Sequence, residues 1–167
     1  MRTYLNKFIR AIEMKYYNSI ANGYNELNKQ EQLRKVDIIL KHLKPHGLLL
    51  DIGAGTGIST KPFEKYCKCI ALDPSIGLLK RYKGTKVLGK AESLPFPDKT
   101  FDVIISITAL HHANLKKAIS EIRRVAKPNA QVAISFLKKS KKLKDIKKLL
   151  RDFKQIEEDK DIIFIRC

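Results

Sequence analysis

The sequence predicts an α/β fold in which helices cover both faces of a doubly wound, mostly parallel sheet. Short, continuous apolar runs, of the kind that a parallel sheet buries on both faces, occur at 47–52, 70–72 and 103–107. Amphipathic helix patterns separate these runs and lie at 58–66, 75–82 and 115–125. Such alternation is typical of doubly wound folds, and 167 residues suffice for a single domain with its own core.

The chain before the first strand predicts two helices. Apolar residues recur at three- and four-residue steps in 4–17 and again in 27–43. Pro45 and Gly47 end the second pattern just before the first strand begins. We therefore expect residues 1–46 to form an N-terminal helical segment.

The last part of the chain predicts a strand, a basic helix and a hairpin. The apolar run 131–136 indicates another buried strand, and a lysine-rich helical pattern follows at 139–151. Two short apolar stretches within 153–167 flank a polar turn, as in a hairpin that closes a sheet. We expect a binding core over 47–137, with the basic helix and the hairpin in 138–167.

The composition indicates a globular chain with a strong positive charge. Lys and Arg number 34 against 17 Asp and Glu, a net charge of +17, which would attract nucleic acid or acidic partners but also suits a merely solvated surface. No run approaches the ~18 apolar residues of a membrane span and no signal peptide is recognisable, so we expect a cytoplasmic protein without a membrane segment. The three cysteines lack the paired spacing of a zinc site, so no metal is expected.

The segment LLLDIGAGTGIST, at 48–60, is the main candidate for a binding site. Gly53, Gly55 and Gly57 follow a predicted strand and open a predicted helix. Glycines at such a turn let the backbone bend sharply and approach a ligand closely. Glycine-rich turns also serve as plain connections, but the strand, the helix and the nearby acid Asp51 favour a cofactor loop.

Two carboxylates narrow the choice of ligand. Asp73 ends the next predicted strand, 22 residues after Asp51, where it can accept hydrogen bonds from both hydroxyls of a ribose. Alternatively, it caps the helix that follows Pro74. Asp51 would repel the pyrophosphate of a dinucleotide but attract an ammonium group. The pattern therefore favours a ligand that carries an ammonium group over a dinucleotide.

Several segments together resemble the class I S-adenosylmethionine-dependent methyltransferases, in the branch that includes the ubiquinone and menaquinone biosynthesis methyltransferases. The resemblance covers nearly the whole chain. It implies S-adenosylmethionine as cofactor and a Rossmann-like, seven-stranded sheet with a C-terminal antiparallel hairpin and two N-terminal helices. The matching segments are YYNSIANGYNELN (16–28), LLLDIGAGTGIST (48–60), ALDPS (71–75), GKAESLPFPDKTFDVIISITALHHA (89–113) and EIRRVAKPN (121–129).

The resemblance implies a set of cofactor-binding positions. Two tyrosines would cover the cofactor, although both could instead be core aromatics. The glycine loop and its acid would hold the methionine part, the second acid the ribose and an Ala-Glu pair the adenine, while a serine would line the site. These positions are Tyr17 and Tyr24; Asp51, Gly53, Ala54, Gly55 and Gly57; Asp73 and Pro74; Ala91 and Glu92; and Ser106.

The chain departs from the family pattern at two places. Lys90 stands where the family usually has an aspartate that accepts a hydrogen bond from the adenine amine. Asn129 and Ala130 replace the two glycines of the usual turn before the fifth strand. We expect a turn at 127–130 nevertheless, with Asn129 in the dihedrals that glycine adopts easily.

A pair of histidines follows the fourth predicted strand, where the acceptor of the methyl group should lie. His111 or His112 could act as a general base, since imidazole titrates near neutral pH. The alternative is that both side chains pack or cap a helix. The catalytic residue is therefore left open between these two roles.

The sequence leaves the methyl acceptor open among three hypotheses. The absence of an insertion after the fifth strand predicts an open site, which with the positive charge favours RNA or another macromolecule. ISITALHHA, at 105–113, also resembles the methyltransferases that modify the tRNA wobble uridine, and relatives of those work with a small zinc-binding activator protein at a sheet edge. A small-molecule methyltransferase and an inactive, cofactor-binding subunit are the alternatives. The basic residues expected to contact RNA are Lys139, Lys141, Lys142, Lys144, Lys147 and Lys148.

Overall fold

The computed structural model describes the backbone of residues 21–167 and the side chains of residues 29–167. This part of the chain forms four α-helices and seven strands, with 3-10 turns at Lys61–Phe63 and Leu110–His112. The helices are α1 (Ala21–His42), α2 (Ile76–Leu79), α3 (Leu115–Val125) and α4 (Leu143–Leu149). The strands are β1 (Leu48–Ile52), β2 (Lys68–Asp73), β3 (Thr85–Leu88), β4 (Phe101–Ile107), β5 (Ala126–Leu137), β6 (Lys154–Glu157) and β7 (Asp161–Arg166).

All seven strands form one sheet in the order β3-β2-β1-β4-β5-β7-β6. The first five strands are parallel, whereas β7 runs antiparallel to both β5 and β6. The order reverses between β1 and β4, which puts the carboxyl ends of these two strands beside the crevice where doubly wound sheets bind ligands. The sequence prediction of a mostly parallel, seven-stranded sheet closed by an antiparallel hairpin is confirmed.

The sheet separates two apolar layers, as side-chain alternation along the strands requires. On one face, Val36 and Ile39 of α1 and Leu43, just after it, are buried together with Leu49 of β1. On the other face, a second layer joins Leu50 of β1 to the apolar side of α3, which consists of Leu115, Ala118, Ile119, Ile122 and Val125. Each fully buried Leu, Ile or Val contributes roughly 1.5–3 kcal/mol. None of the described helices is long and apolar enough to cross a membrane.

Sequence patterns located most elements closely. Helix α3 has the predicted bounds, β1 and β4 differ from the predictions by one or two residues, and α2 is a shorter form of the helix expected at 75–82. Helix α1 begins six residues earlier than predicted. The helix expected at 4–17 lies outside the described residues.

Three local predictions were wrong or incomplete. Instead of a helix at 58–66, the chain forms only turns around Lys61–Phe63, because Pro62 lacks the N–H group that would continue a helix. The basic helix spans seven residues instead of 139–151, since residues 138–142 form turns before it. Strand β3 was not located, because only Val87 of its four residues is even half-buried.

The turn expected at 127–130 is not formed. These residues stay within β5 as a wide bulge: between the Phe101–Ala126 and Val103–Gln131 pairs, β4 advances by two positions and β5 by five. Pro128 cannot donate to the sheet and therefore fits a bulge. Asn129 does not adopt glycine-like dihedrals, since only Lys99 and Thr108 among the described non-glycine residues have positive φ.

Candidate functional site

The glycine loop crosses the carboxyl ends of β1 and β2. The amides of Gly53 and Ala54 both donate to the carbonyl of Leu72, at 2.8 and 3.1 Å, which fastens the loop over the neighbouring strand. Gly53 and Gly55 have φ angles of 76° and 57°, which glycine adopts without steric cost. A Cβ on Gly53 would collide with the side chain of Ala109, just beyond β4. The loop therefore closes one side of a crevice that the ends of β1, β2 and β4 share.

Asp51 lies fully buried near the end of β1. Its Oδ2 accepts hydrogen bonds from Ser59 Oγ and Thr60 Oγ1, both at 2.7 Å, but its Oδ1 has no partner among the residues that the structure describes. Burial raises the pKa of Asp51 to about 6, although the two hydroxyl groups lower it, and the nearby charge of Asp73 raises it further. A buried carboxylate with a free acceptor favours a cationic hydrogen-bond donor as its ligand.

Asp73 connects the glycine loop to the start of α2. Its Oδ2 accepts from the amide of Gly55 at 2.8 Å, and its Oδ1 accepts from the amide of Ser75 at 2.7 Å. Burial raises the pKa of Asp73, while these two amides lower it. Ser75 itself is the N-cap of α2, since its side chain accepts from the amide of Leu78. Each oxygen of Asp73 retains acceptor capacity, so the carboxylate can both hold the loop and bind a hydroxyl group.

The remaining predicted positions surround the same crevice. Ser106 is fully buried, and its hydroxyl donates to the carbonyl of Ile52 at 2.8 Å, which ties β4 to the end of β1. The amide of Gly89 donates to the carbonyl of Asp73 at 3.2 Å, so the segment containing Lys90 to Glu92 starts beside this acid. Ala54 and Ala91 are buried, Pro74 and Glu92 are half-buried, and Lys90 is exposed.

Two predicted aromatic positions cannot be placed. Tyr17 lies outside the described residues. Tyr24 belongs to α1, but its side chain lies outside the part of the chain whose side chains are described. The structure therefore brings together the glycine loop, both carboxylates, the Ala-Glu pair and Ser106, and leaves the two tyrosines as a sequence prediction.

The two histidines lie on the turn that follows β4. His111 is partly buried and His112 is exposed, with their ring centroids 4.3 Å apart. Burial lowers the pKa of His111 to about 4, and the charges of His112, Lys142 and Lys35 lower it further. Among the described residues, its buried Nδ1 has no hydrogen-bond partner. Neutral His111 can accept a proton at pH 7 but is a weak base, so the geometry suits a packed side chain at least as well as a catalyst.

A cluster built around a buried ion pair, Lys35 and Asp161, lies at the other half of the same sheet edge. Lys35 of α1 is 4% exposed, and its Nζ lies 2.9 Å from Asp161 Oδ2, 3.0 Å from Glu31 Oε1 and 2.8 Å from Thr108 Oγ1. These four residues, called here the Lys35 cluster, join α1 to the start of β7 and to the residue after β4. Thr108 has a φ of 53°, an uncommon conformation for a β-branched residue.

The Lys35 cluster was not predicted from the sequence. The available signal was position: Lys35 lies one helical turn before Ile39, on the face that α1 buries. A lysine on an apolar helix face implies a buried carboxylate partner. The pattern could not identify that partner, since Asp161 lies 126 positions further along the chain.

The stretch that forms the crevice matches a known protein family. Residues 50–134, from β1 into β5, match the methyltransferase domain family. A demethylmenaquinone methyltransferase of Renibacterium salmoninarum is 30% identical over 123 residues, which cover 70% of this chain and 52% of that protein. The chain spans about half the length of the curated relatives that it matches.

Two solved structures share the fold. A putative S-adenosylmethionine-dependent methyltransferase of Methanococcus maripaludis superposes with a TM-score of 0.77 at 16% identity, over 89% of this chain and 91% of that one. A putative methyltransferase in complex with the Trm112 methyltransferase activator, from Haloferax volcanii, gives a TM-score of 0.73 at 16% identity, over 86% and 78%. At this identity the likeness shows the fold alone.

The family assignment comes from the sequence match, which includes the glycine loop, both carboxylates and the end of β4. It extends over slightly more than half of the 167 residues. The chain therefore belongs to the methyltransferase domain family, which confirms its resemblance in sequence to the class I S-adenosylmethionine-dependent methyltransferases.

Proposed function

We propose that the chain transfers a methyl group from S-adenosylmethionine to an acceptor held at the carboxyl edge of β4. The buried Oδ1 of Asp51, which has no partner among the described residues, supports this proposal most directly, because it suits the ammonium group of the cofactor. When bound, S-adenosylmethionine supplies a methyl group that its sulfonium charge has already activated. The protein then has mainly to place the acceptor in line.

Each predicted binding position has a task in this proposal. Asp51 binds the ammonium group and Asp73 accepts from the ribose hydroxyls through its remaining lone pairs. Gly55 keeps the space above the loop free of a side chain. Ala91 and Glu92 lie against the adenine, while Tyr17 and Tyr24 cover the cofactor. Ser106 fixes the end of β4 against β1.

Calorimetry on Gly55→Val tests the loop. Its φ of 57° strains any branched side chain, and the added atoms would occupy the ligand's space, so we expect binding of S-adenosylmethionine to be lost. A thermal melt shows whether the variant still folds. Unchanged affinity in a folded Gly55→Val protein would show that the cofactor does not bind at this loop.

We infer that the acceptor is RNA. The net charge of +17 and the exposed lysines around α4 support a polyanionic acceptor. A small-molecule acceptor is the second candidate, favoured by the similarity to a demethylmenaquinone methyltransferase. The test offers labelled cofactor with total RNA, protein and metabolite pools. Label in RNA alone supports the first candidate, label in metabolites the second, and no label in any pool indicates an inactive cofactor-binding subunit.

A partner protein at a sheet edge is also part of the proposal. In the described part of the chain, β3 pairs only with β2, so its outer backbone groups are free to pair, and its last residue, Leu88, is 57% exposed. A similar fold occurs in complex with the Trm112 activator. We propose that a small zinc-binding activator pairs with β3. Co-purification with such a protein should be abolished by Leu88→Asp. Retained binding would refute β3 as the edge at which the activator docks.

A further inference from the structure

A cleft of about 1040 Å³ lies between α3 and α4, apart from the glycine loop. Two contacts define how the helices run beside it. Near the start of α4, Lys142 Nζ donates to the carbonyl of His111 at 2.9 Å, while Arg123 at the end of α3 bonds to the carbonyl of Leu149 at 3.1 Å. The two helices therefore run in the same direction, and the cleft follows them for roughly the 16 Å length of α3.

Positive charge dominates the lining of this cleft. It contains five basic residues and two acids, Asp145 and Asp152. Arg123 pairs with Asp152 at 2.6 Å, so one charge of each sign is already neutralised. The basic residues are Lys116, Arg123, Lys142, Lys148 and Arg151.

Four of these cations have no acidic partner among the described residues: Lys142 bonds only to a carbonyl, and three others have no polar partner there at all. Lys116, Lys148 and Arg151 are exposed and form no hydrogen bond or ion pair with the described residues. One lies in the first turn of α3 and the other two near the end of α4. Cations spread along a cleft do not converge on one phosphate, as a pocket for a nucleotide requires. They suit several phosphates in succession along a polymer.

One end of the cleft opens toward the proposed methyl-transfer site. Ala113 and Asn114 line it there, directly after the two histidines at the carboxyl end of β4. Lys142 contacts the backbone of this same turn. A strand whose backbone lay along the cleft would therefore place its next nucleotide beside the crevice.

We propose that the cleft between α3 and α4 binds the phosphodiester backbone of single-stranded RNA, with Lys116, Lys148 and Arg151 as the principal phosphate contacts. This inference rests on the proposal that the acceptor is RNA, and it identifies the path that the RNA takes. It also divides the basic residues of the last helical segment, since Lys142 and Lys148 line the cleft but Lys139, Lys141 and Lys144 do not.

Two matched triple variants test the proposal. The first replaces the three cleft cations (Lys116, Lys148 and Arg151) by Gln, and the second replaces three exposed lysines outside the cleft (Lys139, Lys141 and Lys144) by Gln. Both remove three charges from the same side of the molecule. Binding of a short, labelled single-stranded RNA is measured against salt from about 50 to 200 mM, a range over which phosphate contacts weaken strongly.

The two variants should differ in affinity and in salt dependence. Each neutralised phosphate contributes about 0.7 to the slope of log affinity against log salt for single strands, so the cleft variant should lose about 2 from this slope and at least about tenfold in affinity at low salt. The control variant should lose much less. Both should bind S-adenosylmethionine like the parent protein.

Three outcomes would overturn the inference. Equal losses in both variants would mean that RNA meets a diffuse basic surface. Absence of RNA binding by the parent would exclude RNA as the ligand of the cleft. Binding of an acidic polypeptide in preference to RNA would identify a protein partner. None of these results bears on the proposed cofactor site. That proposal would fail separately, if the parent protein did not bind S-adenosylmethionine.

Discussion

The two halves of the sheet's carboxyl edge differ in whether their buried carboxylates have a cationic partner. At the ends of β1 and β2, Asp51 and Asp73 are buried, and their described partners are hydroxyl groups and amides, with no cation among them. At the ends of β4 and β7, Asp161 is equally buried but directly contacts the ammonium group of Lys35. The first half retains negative potential, whereas the second is neutralised by the protein itself.

This difference separates a binding site from a structural contact. Buried carboxylates without a cation raise the free energy of the unliganded fold, and a cationic ligand would recover that cost. Asp161 Oδ1 also lacks a hydrogen-bond partner among the described residues, but Lys35 already compensates the charge of this carboxylate, so a cationic ligand would gain less here. The effect of the Lys35–Asp161 pair is to fix α1 against the sheet. Removing a charge should therefore lower stability in the second half. In the first half, removing the charge of Asp51 should raise stability and weaken ligand binding.

The largest expected effect is on the Lys35 side. Lys35→Ala leaves Asp161 buried without its cation, which should lower the free energy of unfolding by about 3–5 kcal/mol. Chemical denaturation measures this loss. The control is Lys35→Met combined with Asp161→Asn, which removes both charges and should recover most of the stability. A double variant as unstable as Lys35→Ala would show that packing, not the unpaired charge, causes the loss.

Asp51→Asn should act in the opposite direction. Burial raises the pKa of Asp51 from 3.8 to about 6, so the ionised group costs the folded state on the order of 2–3 kcal/mol above pH 6. Removing the charge should stabilise the free protein by up to this amount at pH 8 while weakening S-adenosylmethionine binding. Thermal melts and calorimetry on one preparation measure both. Loss of stability together with unchanged affinity would contradict the comparison.

Asp73→Ala should weaken binding of S-adenosylmethionine by ~1.5–3 kcal/mol, on the order of ten- to a hundredfold, since it removes hydrogen bonds to a charged group. It also releases the amides of Gly55 and Ser75. Asp73→Asn is the control for this second effect, because its side-chain oxygen can still accept from one amide. A change below about threefold in the alanine variant would mean that another group holds the ribose.

The smallest effect is the pH dependence of the site. Because the folded pKa of Asp51 lies above its unfolded value, the folded protein binds an extra proton between about pH 4 and 6, and this carboxyl's contribution to stability falls as the pH rises through that window. Cofactor affinity should change the other way, falling by about tenfold per pH unit below about 6 as Asp51 becomes protonated. Titration calorimetry measures the slope, which should vanish in Asp51→Asn. A slope that persists in this variant would assign the proton to another group.

The sequence was most informative where local chemistry decides the structure. The bounds of α3 could be predicted because Asn114 caps it and its apolar residues recur on one face. The conformation of residues 127–130 could not be predicted in this way, because a bulge in β5 depends on its pairing with β4. Strand β3 carries almost no apolar signal, so only its partner β2 makes it a strand.

By itself, the sequence determined the doubly wound fold, the glycine loop and the two acids of the proposed cofactor site, because each depends on residues that are close together in the chain. Only the tertiary structure decided the pairing of Lys35 with Asp161, the lack of a described partner for Asp51 Oδ1, and the division of the basic residues around α4 between a cleft and an open surface. Burial and charge compensation depend on which distant segments meet. A pattern of neighbouring residues does not contain that information.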